Sequence, residues 1–147
     1  MNAKVKLTNL APWPLYFERK NNLGNVTIPE NGVLFLERDE VMSQMYSNNV
    51  MFVGTDQHGA HARILVDDAE IRKQFEFPDE QLVATDEALD KAFSYKQQST
   101  FEKYIRERIV EQFEKNRLIE YIKKKNINDY QKIRFSEIHT GISLDMK

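Results

Sequence analysis

The period of the hydrophobic pattern changes once along this chain, across residues 64–77, ILVDDAEIRKQFEF. Before this stretch the apolar positions alternate, as in strands whose successive side chains point to opposite faces. After it they recur three and four residues apart, as on one face of a helix. Within the stretch, Ile64, Leu65 and Val66 read as the last strand of a β-rich half. Asp67, with Glu70 three residues on, predicts a helix N-cap and its capping-box partner. Ile71 and Phe75 share one face of that short helix, and Pro78 stops it. The pattern predicts an α+β fold: a small N-terminal β-rich domain with short helices over residues 1–77, a linker and short helix over 78–100, and a C-terminal helical region, a hairpin, over 101–147.

In the first half, residues 4–10 put Val5 and Leu7 on one side and Lys4 and Lys6 on the other. Ala11-Pro12-Trp13-Pro14 follows, and its two prolines hold the chain extended and outside a central ladder. The only tryptophan is thus fixed at an edge or in a connection. Two readings stand for it: a lid packed over the sheet, or an anchor at a subunit interface. Residues 15–18 resume a strand, residues 21–25 turn at Gly24, and Val26 and Ile28 make a brief strand ended by Pro29. Asn31-Gly32 is a tight-turn signal, so residues 33–37 are expected to pair back as another strand. Asp39 is expected to cap a helix with Val41, Met42, Met45 and Tyr46 on one stripe, ended by Asn48-Asn49. Residues 51–54 read as a strand, 55–59 as a turn and 61–66 as the returning strand. The expectation is one small twisted sheet of five or six strands carrying one or two helices.

Residues 77–85 are acidic and proline-marked, the composition of a linker. Thr85 is the predicted N-cap of a helix over 86–95, with Ala88, Leu89, Ala92 and Phe93 as its apolar face. The polar stretch 96–100 reads as a hinge. Phe101, Tyr104, Ile105, Ile109 and Phe113 then recur at helical spacing, and Leu118, Ile119 and Ile122 continue the pattern. Lys123, Lys124 and Lys125 suit a helix C-terminus, with Asn126 just past it. Asn128 with Gln131 predicts a new N-cap and capping box, and Tyr130, Ile133 and Ile138 are expected on one side of that helix. Thr140-Gly141 is expected to close it, with Ile142 folding back in a Schellman-type end.

Little in the chain points to chemistry. It has no cysteine, hence no disulfide framework and no thiolate metal site. Asp56, His58 and His61 lie together in a turn, but their spacing matches no standard metal set. His139 suits a helix C-terminus. No nucleophile elbow, phosphate-binding loop or dinucleotide fingerprint occurs. No catalytic, cofactor-binding or metal residue is therefore assigned. The net charge of −2 argues against a phosphate-binding surface. Lys123 to Lys125, Lys132 and Arg134 could form a basic patch near Tyr121 and Tyr130, and a DNA-binding regulator using this hairpin is the reading from another class. Glu102, Glu107, Glu111, Glu114 and Glu120 interleave with those cations, the pattern of a solvated helix face. No apolar run approaches the ~20 residues that span a bilayer, and the start lacks the apolar core of a signal peptide. The chain is expected to be soluble with nothing removed. The aromatic candidates for interface anchors are Trp13, Tyr16, Phe101, Tyr104, Phe113, Tyr121 and Tyr130, each with a core alternative.

The stretches VKLTNL, GNVTIP, LERDEVMSQMY, ILVDDAEIRKQF and IEYIKKKNINDYQKIRFSEIHTGISL together resemble small structural proteins encoded among the virion genes of tailed bacteriophages. In those chains a compact β-rich domain precedes a linker and a short helical region. The Pro-Trp-Pro insertion and the longer turn over 56–61 depart from that pattern. The resemblance implies a non-enzymatic protein of the virion, assembled in the host cytoplasm without a cofactor. It implies contacts with phage capsid or portal/connector proteins, as a homo-oligomer or in many copies of a symmetric assembly. Neither a nucleic acid nor a membrane is the implied partner. An auxiliary capsid protein stabilising the head is the first expectation, and a head–tail connector or tail ring component the second.

Overall fold

The computed structural model describes residues 3–21, 23–78 and 81–144. Asn22 of the expected turn, Asp79 and Glu80 of the acidic stretch, and the last three residues of the expected hairpin lie outside them. The fold is α+β, with strands first and helices after, and the chain divides after Val83 into two compact units.

In the first unit, β1 (Lys4–Asn9) is the middle of a three-stranded antiparallel sheet. β4 (Val33–Glu37) lies on one side and β5 (Ile64–Asp67) on the other, with Leu7 opposite both Leu34 and Val66. Alternation along β1 buries Val5, Leu7 and Asn9 and exposes Lys4 and Lys6. β2 (Leu15–Glu18) and β3 (Asn25–Ile28) form a separate hairpin that buries Leu15, Phe17, Val26 and Ile28. The expected single sheet is thus two sheets, and β4 pairs with β1 rather than with β3. The turn between β3 and β4 explains the switch. Asn31 adopts φ +53° and donates its N–H to the Ala11 carbonyl at 3.2 Å, while the Asn9 N–H reaches the Gly32 carbonyl at 2.8 Å. The chain is thereby handed to β1.

Two buried polar side chains tie the unit together. The Asn9 amide nitrogen donates to the carbonyls of Trp13, Ile28 and Pro29 at 2.9, 3.1 and 3.0 Å, and its oxygen accepts the Ala11 N–H at 2.8 Å. Glu40, in α1 (Arg38–Tyr46), accepts the N–H groups of Lys20 at 2.7 Å and Asn21 at 3.0 Å and the Gln44 amide at 2.9 Å. Burial alone would raise the Glu40 pKa. These donors and the nearby Arg19 charge outweigh it and hold the carboxyl below its ordinary value.

The helix boundaries shift from those expected. α1 starts after Glu37, and Asp39 sits in its first turn without capping it; Val41 and Met45 are buried, but Tyr46 is exposed. Residues 51–54 contribute to a one-turn helix, α2 (Val50–Val53), not a strand. Asn49 caps it by accepting the Met51 N–H at 3.1 Å, and Phe52 packs edge-on against Phe17. No hairpin therefore joins 51–54 to 61–66, and the strand begins only at Ile64. The cap of α3 (Ala69–Gln74) is Asp68, which accepts the Ile71 N–H at 2.9 Å, whereas Asp67 ends β5. α3 stops before Pro78, because Glu76 turns to φ +61°. Residues up to Val83 stay with this unit: the His61 N–H donates to the Leu82 carbonyl at 2.7 Å and the Gln81 amide to Gly59 at 2.8 Å.

The second unit packs α4 (Asp86–Ser94), α5 (Gln98–Arg108), α6 (Gln112–Lys124) and α7 (Tyr130–Thr140) around Leu89, Phe101, Ile105, Leu118 and Ile122. Thr85 caps α4 as the sequence predicts, accepting the Ala88 N–H at 3.1 Å. Residues 96–100 are no hinge, since α5 begins at Gln98. The continuous helical period from Phe101 to Ile122 is broken at 109–111. Ile109 leaves helical geometry, and the Glu114 carboxylate accepts the N–H groups of both Val110 and Glu111 at 2.9 Å. α6 ends in a Schellman motif: Asn126 has φ +53°, Ile127 N–H donates to Ile122 and Asn126 N–H to Lys123.

α7 departs most from expectation. Its cap is Asp129, not Asn128. Its buried positions are Lys132, Ser136 and Thr140, while Tyr130 and Ile138 are 74% and 68% exposed. The Ser136 and Thr140 hydroxyls each donate to a carbonyl four residues back at 2.8 Å, which lets this polar stripe be buried. Gly141 at φ +73° donates to Glu137, the simpler left-handed end and not a Schellman motif.

Two outcomes follow. Asn9→Ala leaves three carbonyls without their donor and is expected to cost ~2–4 kcal/mol in urea unfolding. A lowered Glu40 pKa gives stability that is full above the ordinary value of 4.5 and is lost as pH falls through the depressed folded value. Glu40→Gln should therefore melt lower than wild type at neutral pH, and the two melting curves should converge in acid.

Candidate interaction surfaces

The titratable clusters are engaged in local structure. Asp56 accepts the N–H groups of His58 at 2.8 Å and Ala60 at 3.0 Å, closing the turn between α2 and β5. Burial opposes its charge, but these donors and the His58 ring hold its carboxyl below the usual range. The His58 ring lies 3.4 Å from the Phe75 carbonyl, and the His61 backbone is bonded to Leu82. Among the described residues no group of three or more His, Cys, Asp or Glu side chains is placed to hold a metal ion. In the second unit Arg117 reaches Asp86 at 3.0 Å and the Ala84 carbonyl, and the Tyr121 hydroxyl donates to Asp90. Burial first, then that bond and the Asp90 charge, push Tyr121 above the ordinary tyrosine value. These contacts fasten α4 to α6.

The aromatic candidates separate by burial. Phe101, Phe113 and Tyr121 are buried, and Phe101 and Tyr121 lie in the core of the helical unit. Tyr104 is half-buried, with the Arg108 guanidinium over its ring at 4.4 Å. Trp13 is half-buried, and Tyr16 and Tyr130 are exposed. His139 does not end at its own helix: its ring nitrogen lies 2.6 Å from the Ile109 carbonyl, at the break between α5 and α6.

Of the cations considered for a basic patch, Lys132 is withdrawn from the surface. Lys132 turns inward, 3.1 Å from Asp129 and over the Phe101 ring, while Lys123, Lys124 and Lys125 stay exposed at the end of α6. Arg134 is exposed beside Glu137 at 3.9 Å.

Two of the apolar surfaces open among the described residues group their side chains. On α5 and α7, Gln98, Glu102, Tyr130, Arg134, Phe135 and Ile138 line a shallow groove of about 320 Å3. On the outer face of the three-stranded sheet, Val33 and Phe35 are 47% and 58% exposed. Phe35 lies beside Lys6, which lies beside Asp67; Val33 lies beside Thr8, which lies beside Leu65. Phe35 was not among the sequence candidates. The signal for it is the run VLFLE, four apolar residues in five, which does not alternate like a strand with one wet face.

No known protein family, no characterised protein and no solved structure matches the chain.

Burial predicts a sharp split in mutational cost. Phe101→Ala and Phe113→Ala should each cost ~3–5 kcal/mol, whereas Tyr130→Ala and Ile138→Ser should stay within ~0.5 kcal/mol, as read by thermal or denaturant unfolding.

Proposed function

We propose that the chain is a non-enzymatic structural protein of a tailed-bacteriophage virion, an auxiliary capsid protein that stabilises the head through contacts with neighbouring subunits. The observation that carries this reading is that each of two separately cored units leaves large apolar side chains exposed. Among these are Tyr16, Val33 and Phe35 on the first, and Tyr130 and Ile138 on the second. Scattered exposed apolar residues are ordinary. Here they are grouped, Val33 with Phe35 on one sheet face and Tyr130 with Ile138 along one groove. Two linked contact surfaces gain avidity when each meets its own neighbour in a symmetric shell. The charged clusters support the same reading, being engaged in caps and ion pairs that hold the fold. A DNA-binding role is disfavoured by the inward turn of Lys132 and by acidic residues interleaved among the cations.

The test is mass spectrometry and band densitometry on purified particles of a phage whose genome encodes the chain. Hundreds of copies per particle are expected of a shell protein, and about a dozen would mark a connector or tail ring. Absence of the chain from purified particles would overturn the reading.

A further inference from the structure

Strand β4 has one side paired and one side open. The Asn9 N–H bond to the Gly32 carbonyl and the Arg38 N–H bond to the Ala3 carbonyl bracket its ladder with β1. Antiparallel pairing alternates, so Leu7–Leu34 and Val5–Leu36 are the residue pairs that exchange hydrogen bonds across it. The N–H and C=O groups of Val33, Phe35 and Glu37 therefore point away from β1. Among the described residues no strand lies beyond β4, and no hydrogen bond made outside the helices and strands involves the backbone of Val33 or Phe35 or the Glu37 N–H. Natural edges are blunted with proline, lysine, a bulge or an inward charge. β4 has none of these; its one charge, Glu37, is held by Arg19 at 3.3 Å. The opposite edge differs: Ile64 and Val66, whose backbone groups point outward from β5, are buried, whereas Val33 and Phe35 on β4 are exposed.

The sequence of β4 is complementary to itself. Antiparallel pairing with a second β4, centred on Phe35, sets Phe35 against Phe35 and Leu34 against Leu36. It sets Val33 against Glu37, so no like charges meet. From this we infer that the open edge of β4 pairs with the same edge of a second copy of the chain about a twofold axis. The product is one continuous sheet of six strands from two sheets of three. The inference rests on the assembly reading by naming its surface and partner. Its test uses the free protein, so the two fail separately: a monomer overturns this pairing, whereas absence from particles overturns the virion role.

The pairing uses one five-residue strand from each copy, and a weak association is expected, with Kd ~10 µM to ~1 mM. Sedimentation velocity over a concentration series is expected to show the mass rising from the 17.4 kDa of one chain towards twice that value. Amide exchange should report the geometry: the N–H groups of Val33, Phe35 and Glu37 gain protection with concentration. Phe35→Pro removes an outward N–H and the exposed Phe35 ring, changes that an edge strand accepts, and is expected to abolish the dimer while the monomer stays folded. Should Phe35→Pro fail to fold, Phe35→Lys keeps the backbone intact and sets two cations together at the axis, weakening association ~10-fold or more. A wild-type chain that stays monomeric to ~1 mM would overturn the inference. So would a dimer of undiminished affinity in a folded edge variant, or one that forms without protection of those three amides.

Discussion

The first unit depends on one carboxamide. Position 9 lies on the inward face of β1, in line with Val5 and Leu7, where a polar side chain is costly unless every polar atom is bonded. Asn9 meets that condition with the carbonyls of Trp13, Ile28 and Pro29 and the N–H of Ala11. The need arises from the segment that follows β1. Pro12 and Pro14 have no N–H of their own, so the chain around them, which bends at residues 11–13, cannot join a ladder and needs another attachment. Asn9 supplies it and, through Ile28 and Pro29, joins the three-stranded sheet to the end of β3. The half-burial of Trp13 follows from this fixed backbone.

The same logic recurs elsewhere in each unit. Apolar burial drives collapse without direction, whereas a satisfied buried polar group fixes one arrangement. Glu40 holds the loop after β2 through two backbone N–H groups, and Gln44 continues the network to the Glu18 carbonyl at 2.7 Å. In the second unit Glu114 gathers the N–H groups at the break between α5 and α6, and the His139 ring meets the Ile109 carbonyl at that break. Ser136 and Thr140 return their hydroxyls to their own helix, so α7 offers a self-satisfied polar stripe to its neighbours.

What was legible in the sequence was local. Thr85 capped its helix, Asn126 took the left-handed position after α6, and Lys4–Asn9 alternated as a strand, because each depends on neighbours a few residues away. Adjacent Asp67 and Asp68 compete for one cap, and strand pairing decided between them. Residues 51–54 are too few to show a period, and the cap at Asn49 was the better signal. The helical period ran unbroken through 109–111, while the break lay in the Glu111 and Glu114 spacing that also opens a helix. Pairing of β4 with β1 depends on bonds across more than twenty residues, which no local pattern carries. For the surfaces, an aromatic identity does not say which way its helix face turns. Phe101 and Tyr130 look equivalent as letters, yet one is fully buried and the other is 74% exposed.

The asymmetry of the two sheet edges bears on how such a chain can remain well behaved. A sheet with both edges open can add strands at each side without limit and forms fibres. Here β1 is paired on both sides, and the residues of β5 whose backbone groups face outward are buried beside α2. Among the described residues, the β4 edge is the one that this three-stranded sheet leaves for growth. Twofold pairing through a single edge uses the open edges of both three-stranded sheets and leaves none in the sheet they form, so growth through it closes at two. An unprotected run such as VLFLE is therefore tolerable where the shielded β5 side makes the addition self-limiting. The same run placed on β5, with β4 left as it is, would give a chain with two sticky edges and no closed assembly.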